Sequence, residues 1–142
     1  MSFSELISPL VGRLVLAWFF ISASLALGAH WSSTIALMTF KGMPAPAVLL
    51  AGAIVLMILG GISLALGFHA RVGALLLFAF TIIASVMMHA YWKIDNNAIA
   101  RADDYEIFVR NIAIAGGLLL IVGMGAGPFS IDNQMGGGKK KG

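Results

Sequence analysis

Long apolar runs without charged side chains alternate along this chain with short polar segments. A helix needs roughly 20 apolar residues to cross the hydrocarbon core of a bilayer, so charged residues mark where such helices end. Cut at its charges, the chain contains four stretches of sufficient length. They predict four transmembrane helices at about residues 9–29, 48–68, 72–91 and 107–126.

The connections between these stretches differ in length and in polarity. Lys41, Pro44 and Pro46 interrupt the chain after the first stretch, because proline lacks an amide donor and restricts the residue before it. Arg71 lies in a tight turn between the second and third stretches. The one sizeable hydrophilic loop is predicted at residues 93–106.

The predicted helices divide the chain into a membrane domain and a tail. Residues 1–128 are expected to form an all-α domain, an antiparallel bundle of four transmembrane helices. Residues 129–142 are polar and glycine-rich and end in lysines, so a disordered tail is predicted. An even number of spans puts both termini on one side of the membrane.

The basic residues indicate which side that is. The side of the termini carries five of them, Arg13, Arg71, Lys139, Lys140 and Lys141. The opposite side, called here the outer face, carries four, Lys41, Lys93, Arg101 and Arg110. This small excess favours cytoplasmic termini by the positive-inside rule.

The first thirty residues also resemble a secretory signal, since an apolar run is followed by small residues. The run is long for a signal, Glu5 weakens the basic segment before it, and Trp18 adds bulk. A retained helix is favoured.

Composition agrees with a lipid environment and excludes the functions that depend on cysteine. Hydrophobic residues make up 60% of the chain and charged residues 11%, with a mean hydropathy of +0.97, well beyond ordinary soluble domains. There are no cysteines, which excludes disulfides, thiolate metal sites and thiol nucleophiles within the chain. An electron-transfer role would therefore need a bound cofactor.

Polar side chains near the outer face are the candidate functional site, because such residues in a membrane usually have a partner. His89 near the end of the third span is expected to reach the depth of Arg110 and Asn111 in the fourth, and Asn111 is too short to reach the headgroups. Glu106 is four residues before Arg110, the spacing of a helical ion pair. The candidate ligand-binding or polar network is His89, Arg110, Asn111, Trp92, Tyr91, Glu106 and His30.

Simpler interpretations compete at several of these positions. Tyr91 and Trp92 are equally typical of an interfacial aromatic belt. His30 and His89 could ligate haem from two spans, but histidines at helix ends commonly occur without a metal. No catalytic residue and no metal set is predicted, because none of the familiar motifs is present.

The order of motifs resembles the DoxX family of small bacterial membrane proteins over about residues 8–133. The resemblance is carried by GRLVLAWFF, KGMPAP, LGGISLALGFHARVGALLL, MHAYW and RNIAIAGGLLLIVG. It implies a multi-pass bacterial inner-membrane protein related to subunits of quinone-linked oxidation and of oxidative-stress complexes. Many members carry a lysine and a glutamate where this chain has Ala26 and Met57. That difference weakens any mechanism built on an ion pair at mid-membrane.

The leading functional hypothesis is an accessory subunit of a larger membrane or redox complex, or a protein that binds a small lipophilic molecule such as a quinone. An enzyme acting alone is disfavoured, and no cofactor is assigned beyond a possible quinone. Alternatives are a membrane component of a quinone-linked oxidoreductase and a small transporter. Expected partners are the bilayer, a larger complex and a second copy of the chain, but no nucleic acid.

Overall fold

Helices account for nearly all of the computed structural model, which describes residues 2–137 and contains no strand within them. The helices are α1 (Phe3–Ala29), α2 (Trp31–Phe40), α3 (Pro46–Leu66), α4 (Ala70–Met88), α5 (Ala98–Met124) and α6 (Ile131–Gly137), with a 3-10 turn at Tyr91–Lys93. Four of them, α1, α3, α4 and α5, are long and apolar enough to cross a membrane. The predicted class, an all-α protein with four spanning helices, is confirmed.

The spanning helices pack in the order in which they occur. Helix α1 packs on α3, α3 on α4, and α4 on α5, so that neighbours in sequence are neighbours in the bundle. We call the side where α1 begins and α5 ends the terminus face. The outer face carries α2, the Tyr91–Lys93 turn and the beginning of α5.

Local sequence explains where the first two spanning helices begin and end. Ser2 and Glu5 form a reciprocal capping box at the start of α1. Pro46 opens α3 at a position where its missing amide costs nothing. Gly67 ends α3 with φ +66°, a left-handed conformation that favours glycine.

The bundle centre combines buried leucines with small residues. Leu64, Leu77 and Leu118 have no exposed surface and come from three different spanning helices. Gly60 lies against Leu77, and Gly61 against Ile21 of α1; a Cβ at either glycine would come within 2.6–2.7 Å of that side chain. This close approach is how helices associate in lipid, where apolar burial alone provides no drive.

Two arginines join the beginning of one spanning helix to the end of the next. Arg13 on α1 donates to the carbonyl of Leu64 near the end of α3, at 2.8 Å. Arg71 on α4 donates to the carbonyls of Val122 and Gly123 near the end of α5, at 3.3 and 3.2 Å. Cations suit the C-terminal end of a helix, where carbonyls lack partners. Each arginine thus fastens a helical hairpin at the terminus face.

The helix ends differ from the predicted spans mainly at α5. This helix begins at Ala98, whereas the fourth span was expected from residue 107, so residues 98–106 are helical and not loop. Asn97 caps the helix by accepting from the amide of Ala100 at 3.0 Å. Asp104 therefore lies in the helical part of α5 that precedes the predicted span.

The tail is also more ordered than the sequence suggests. Helix α6 lies within the predicted disordered segment, because the preceding chain is fixed: Arg13 donates to the carbonyl of Phe129. Both carboxylate oxygens of Asp132 accept amides at the start of α4, from His69 at 2.6 Å and Ala70 at 2.8 Å. The lysine-containing end, residues 138–142, lies outside the described residues.

Candidate functional site

Three ionisable side chains from three elements meet at the outer face. Asp104 of α5 accepts from Nδ1 of His89 through Oδ1 at 3.0 Å, and its Oδ2 lies 3.4 Å from Nζ of Lys41. The three side chains are only 16–23% exposed. Partial burial makes such contacts stronger than those of a fully exposed ion pair. We call these three residues the outer-face triad.

The ends of the helices bring the outer-face triad together. Lys41 directly follows α2, and His89 directly follows α4. Lys41 also donates to the carbonyl of Met88, the last residue of α4, where a helix favours a cation. Asp104 lies in the second turn of α5, on the side that faces α4. The triad therefore links the end of α2 to the end of α4 and to α5.

A cleft of about 500 Å³ opens beside the outer-face triad. Its apolar lining comes from α2, the end of α4, the following turn and α5: Leu37, Phe40, Met87, Ala90, Ile94 and Ala100. Its polar lining is Lys41, His89, Lys93, Asp103 and Asp104. A concave apolar surface with a few convergent polar groups is typical of a small-molecule site. We call it the outer-face cleft.

A second polar contact lies deeper between the same two helices. Asn111 of α5 donates through Nδ2 to Oγ of Ser85 at 3.0 Å, and Ser85 donates to the carbonyl of Thr81 at 2.7 Å. Thr81, Ser85 and His89 follow one another at four-residue spacing, and Asp104 and Asn111 are seven apart, so each set lies along one side of its helix. Polar pairs thus continue from the outer-face triad into the α4–α5 contact.

Of the predicted network of His89, Arg110 and Asn111, the structure brings only His89 and Asn111 to the same helix contact. His89 and Asn111 both face the α4–α5 contact but bond to different residues. Arg110 is exposed, with its guanidinium 5.9 Å from the ring centre of Phe19 on α1. Neighbouring positions on a helix point about 100° apart, so Arg110 and Asn111 cannot both face α4.

The predicted pairing of Glu106 with Arg110 is not formed. The two close contacts between ionisable side chains among residues 2–137, Lys41 with Asp104 and His89 with Asp104, both use Asp104. Glu106 and Arg110 are exposed on α5. At an exposed boundary such a pair gains little, and Arg110 instead lies over an aromatic face.

Tyr91 and Trp92 belong to an aromatic cluster and not to the outer-face triad. Their ring centres are 5.2 Å apart, and the ring of Tyr91 also lies 4.9 Å from that of Tyr105 and 5.6 Å from that of Phe108. These edge-on contacts fix the Tyr91–Lys93 turn against α5. Trp92 remains 45% exposed, as expected of an interfacial aromatic side chain.

His30 lies apart from the outer-face cleft. It forms the junction of α1 and α2, is exposed, and contributes its carbonyl to bonds from Ser33 and Thr34. Across the part of the chain that the structure describes, no group of three or more histidine, aspartate or glutamate side chains is arranged to hold a metal ion.

Lys41 and Asp104 are the site residues that the sequence did not single out. In the sequence, Lys41 lies in the helix-breaking segment after the first span, and Asp104 lies in the predicted hydrophilic loop. The available signal was periodicity: Asp104 and Asn111 share one side of α5, and His89 shares one side of α4 with Ser85.

The four apolar spanning helices define this chain as an all-α integral membrane protein. It belongs to the SURF4 family, whose sequence model matches residues 35–141. No solved structure matches it.

Its relatives place it in the inner membrane. The chain is 28% identical to inner membrane protein YphA of Escherichia coli, over 88% of each chain. It is 29% identical to inner membrane protein YqjF of the same organism, over 92% of this chain and 94% of that one. Over 57% of its length it is 33% identical to the ER-derived vesicles protein ERV29 of Saccharomyces cerevisiae, covering 26% of that protein. The predicted localisation, a multi-pass inner-membrane protein, is confirmed.

These comparisons correct the resemblance to the DoxX family. The family match is to SURF4, and the relatives agree with it. Motifs such as GRLVLAWFF combine a boundary arginine, apolar residues and aromatics, which many small membrane helices require, so they do not identify one family. The links to quinones and oxidative stress that followed from the resemblance lose their support.

Proposed function

We propose that this protein is a non-catalytic binding protein of the inner membrane, whose outer-face cleft holds a small amphiphilic molecule. The observation that carries the proposal is the pairing of an apolar cleft with the outer-face triad on its wall. Apolar lining would cover a hydrocarbon chain, while the triad would orient a polar headgroup.

The size and position of the cleft support a ligand that comes from the membrane. About 500 Å³ lies within the range of small-molecule sites. Phe40 and Leu37 on its rim are 87% and 44% exposed, so apolar surface continues from the cleft to the surroundings. A ligand arriving along the bilayer boundary would meet apolar surface throughout its entry.

The charges of the cleft support a headgroup without a large net charge. Lys41 is paired with Asp104, and the further lining charges, Lys93 and Asp103, are of opposite sign. A strongly anionic or cationic ligand would find no excess of opposite charge. Affinity would come from apolar contact, and orientation from hydrogen bonds.

Blocking the cleft tests the proposal. Wild-type protein, Ala100→Phe and Ala113→Phe are purified in nanodiscs formed from native membranes, and the retained small molecules are compared by mass spectrometry. Ala100 lines the cleft, whereas Ala113 is exposed on the same helix and outside it. We expect a molecule that is retained by wild type and Ala113→Phe and lost from Ala100→Phe. Identical retention by all three proteins would contradict the proposal.

A role as an accessory subunit of a larger membrane assembly stays a prediction compatible with this one, since a ligand-bound outer face could also contact a partner. Affinity purification in mild detergent, followed by identification of retained proteins, tests it. A stoichiometric partner lost on mutation of the outer face would support it, and recovery of the protein alone would not.

A further inference from the structure

The outer-face triad fixes which nitrogen of His89 carries a proton. The ammonium of Lys41 only donates, so Oδ2 of Asp104 accepts from it. The other carboxylate oxygen lies 3.0 Å from Nδ1 of His89, and an ionised carboxylate only accepts. When the ring is neutral, its one proton is therefore on Nδ1.

The other ring nitrogen of His89 is then a hydrogen-bond acceptor. In neutral imidazole, a proton on Nδ1 leaves a lone pair on Nε2. None of residues 2–137 bonds to Nε2, and His89 lines the outer-face cleft. The carboxylate orients the ring, as it does for histidines that act as bases or ligands.

The positive charge of Lys41 is less available to a ligand than that of an unpaired lysine. Its Nζ donates to the carbonyl of Met88 and lies 3.4 Å from Asp104, so its charge is already paired. An anionic headgroup would have to compete with Asp104 for it. His89 lines the cleft, and its Nε2 has no hydrogen-bond partner among the described residues.

We infer that the headgroup taken by the outer-face cleft is a hydrogen-bond donor, a hydroxyl that donates to Nε2 of His89, and not an anion. This inference rests on the proposed function, because it assigns the headgroup chemistry of the same cleft. The ligand class is an amphiphile with a hydrocarbon chain and a neutral hydroxyl-bearing head.

Dodecanol and its methyl ether test the inference, because methylation removes the hydroxyl donor and keeps the hydrocarbon chain and the oxygen. The full-length protein, with 15N in its histidine rings, is placed in phosphatidylcholine nanodiscs and titrated with dodecanol or its methyl ether at equal mole fractions in lipid. The 15N shifts report which ring nitrogen is protonated and the fraction of protein bound. His89→Phe keeps a planar aromatic ring without the nitrogens, and His30→Phe is the matched change at an exposed outer-face histidine away from the cleft.

We expect a proton on Nδ1 of His89 before any probe is added. We then expect about two- to tenfold tighter binding of the alcohol than of the ether, the range of one net hydrogen bond. The preference should disappear in His89→Phe, measured by retention of each probe, and persist in His30→Phe.

The possible failures are distinguishable. Equal binding of both probes, each blocked by Ala100→Phe, would overturn the hydroxyl inference and leave the cleft as a binding site. A proton on Nε2 in the unliganded protein would overturn it as well. Binding of neither probe, or binding that Ala100→Phe does not change, would remove the proposed function and this inference together.

Discussion

Replacing Asp104 with alanine removes the acceptor that Lys41 and His89 share. The contact with His89 at 3.0 Å is a hydrogen bond to a charged acceptor, for which about 1.5–3 kcal/mol is typical. The contact with Lys41 at 3.4 Å, at a boundary site, adds up to about 1 kcal/mol. Renewed hydration and freedom of Lys41 offset part of the loss. We expect the free energy of unfolding to fall by about 2 kcal/mol.

The neighbouring residue provides a matched control. Asp103 is also a carboxylate on α5 that lines the outer-face cleft, but it is exposed and forms no ion pair among the described residues. Asp103→Ala should change stability by less than about 0.5 kcal/mol. Both variants are unfolded with sodium dodecyl sulfate in mixed micelles and followed by far-ultraviolet circular dichroism.

A double-mutant cycle shows whether the loss comes from the stated contacts. Asp104→Ala is combined with His89→Phe, and the coupling between the two changes should be at least about 1 kcal/mol. Equal effects of Asp103→Ala and Asp104→Ala would show that the contacts of Asp104 with Lys41 and His89 do not stabilise the fold. Full additivity in the cycle would show the same for the contact with His89, because residues that share a hydrogen bond couple.

Three further results are expected. Asp132→Ala should lower the free energy of unfolding by about 1–2 kcal/mol, because the Asp132 carboxylate caps two amides at the start of α4. Gln134→Ala, at an exposed position of α6, should have little effect. Equal effects of the two changes would show that Asp132 does not act as a cap. Gly60→Ala should destabilise the protein by about 1–3 kcal/mol, since the added Cβ would lie 2.6 Å from the buried Leu77 of α4. Gly116→Ala, which has open space around the added Cβ, should be neutral or stabilise the protein by about 0.5–1 kcal/mol. Thermal unfolding in detergent compares the stability of the two variants. A reporter fused after residue 142 should be active in its cytoplasmic form, and activity only outside the cytoplasm would reverse the predicted orientation.

The spanning helices were predictable because the bilayer imposes a length on them. Charge-free runs of sufficient length identify α1, α3, α4 and α5 whatever their packing partners are. The terminus-face contacts were not predictable in this way. Asp132 and Arg13 each act on residues far away in the sequence, so a polar tail that looks disordered is fixed by partners that hydropathy does not reveal.

The location of the candidate site was predictable from the sequence, but the full set of residues that form it was not. His89 and Asn111 were expected at the outer face, and both lie along the α4–α5 contact. Arg110 was grouped with them by depth, although helix geometry turns it away from its neighbour in sequence. Lys41 reaches the site from 63 residues before Asp104, and no local spacing indicates that approach.

Helices α2, α4 and α5 meet at the outer-face triad beside the proposed binding cleft, and the distance between His89 and Asp104 in a bilayer is the decisive measurement of that arrangement. Solid-state nuclear magnetic resonance in proteoliposomes measures the dipolar coupling between Nδ1 of His89 and the carboxylate carbon of Asp104. We expect a strong coupling, because the nitrogen and the nearer carboxylate oxygen are 3.0 Å apart. No measurable coupling, or contact of His89 with Arg110 in its place, would contradict that arrangement.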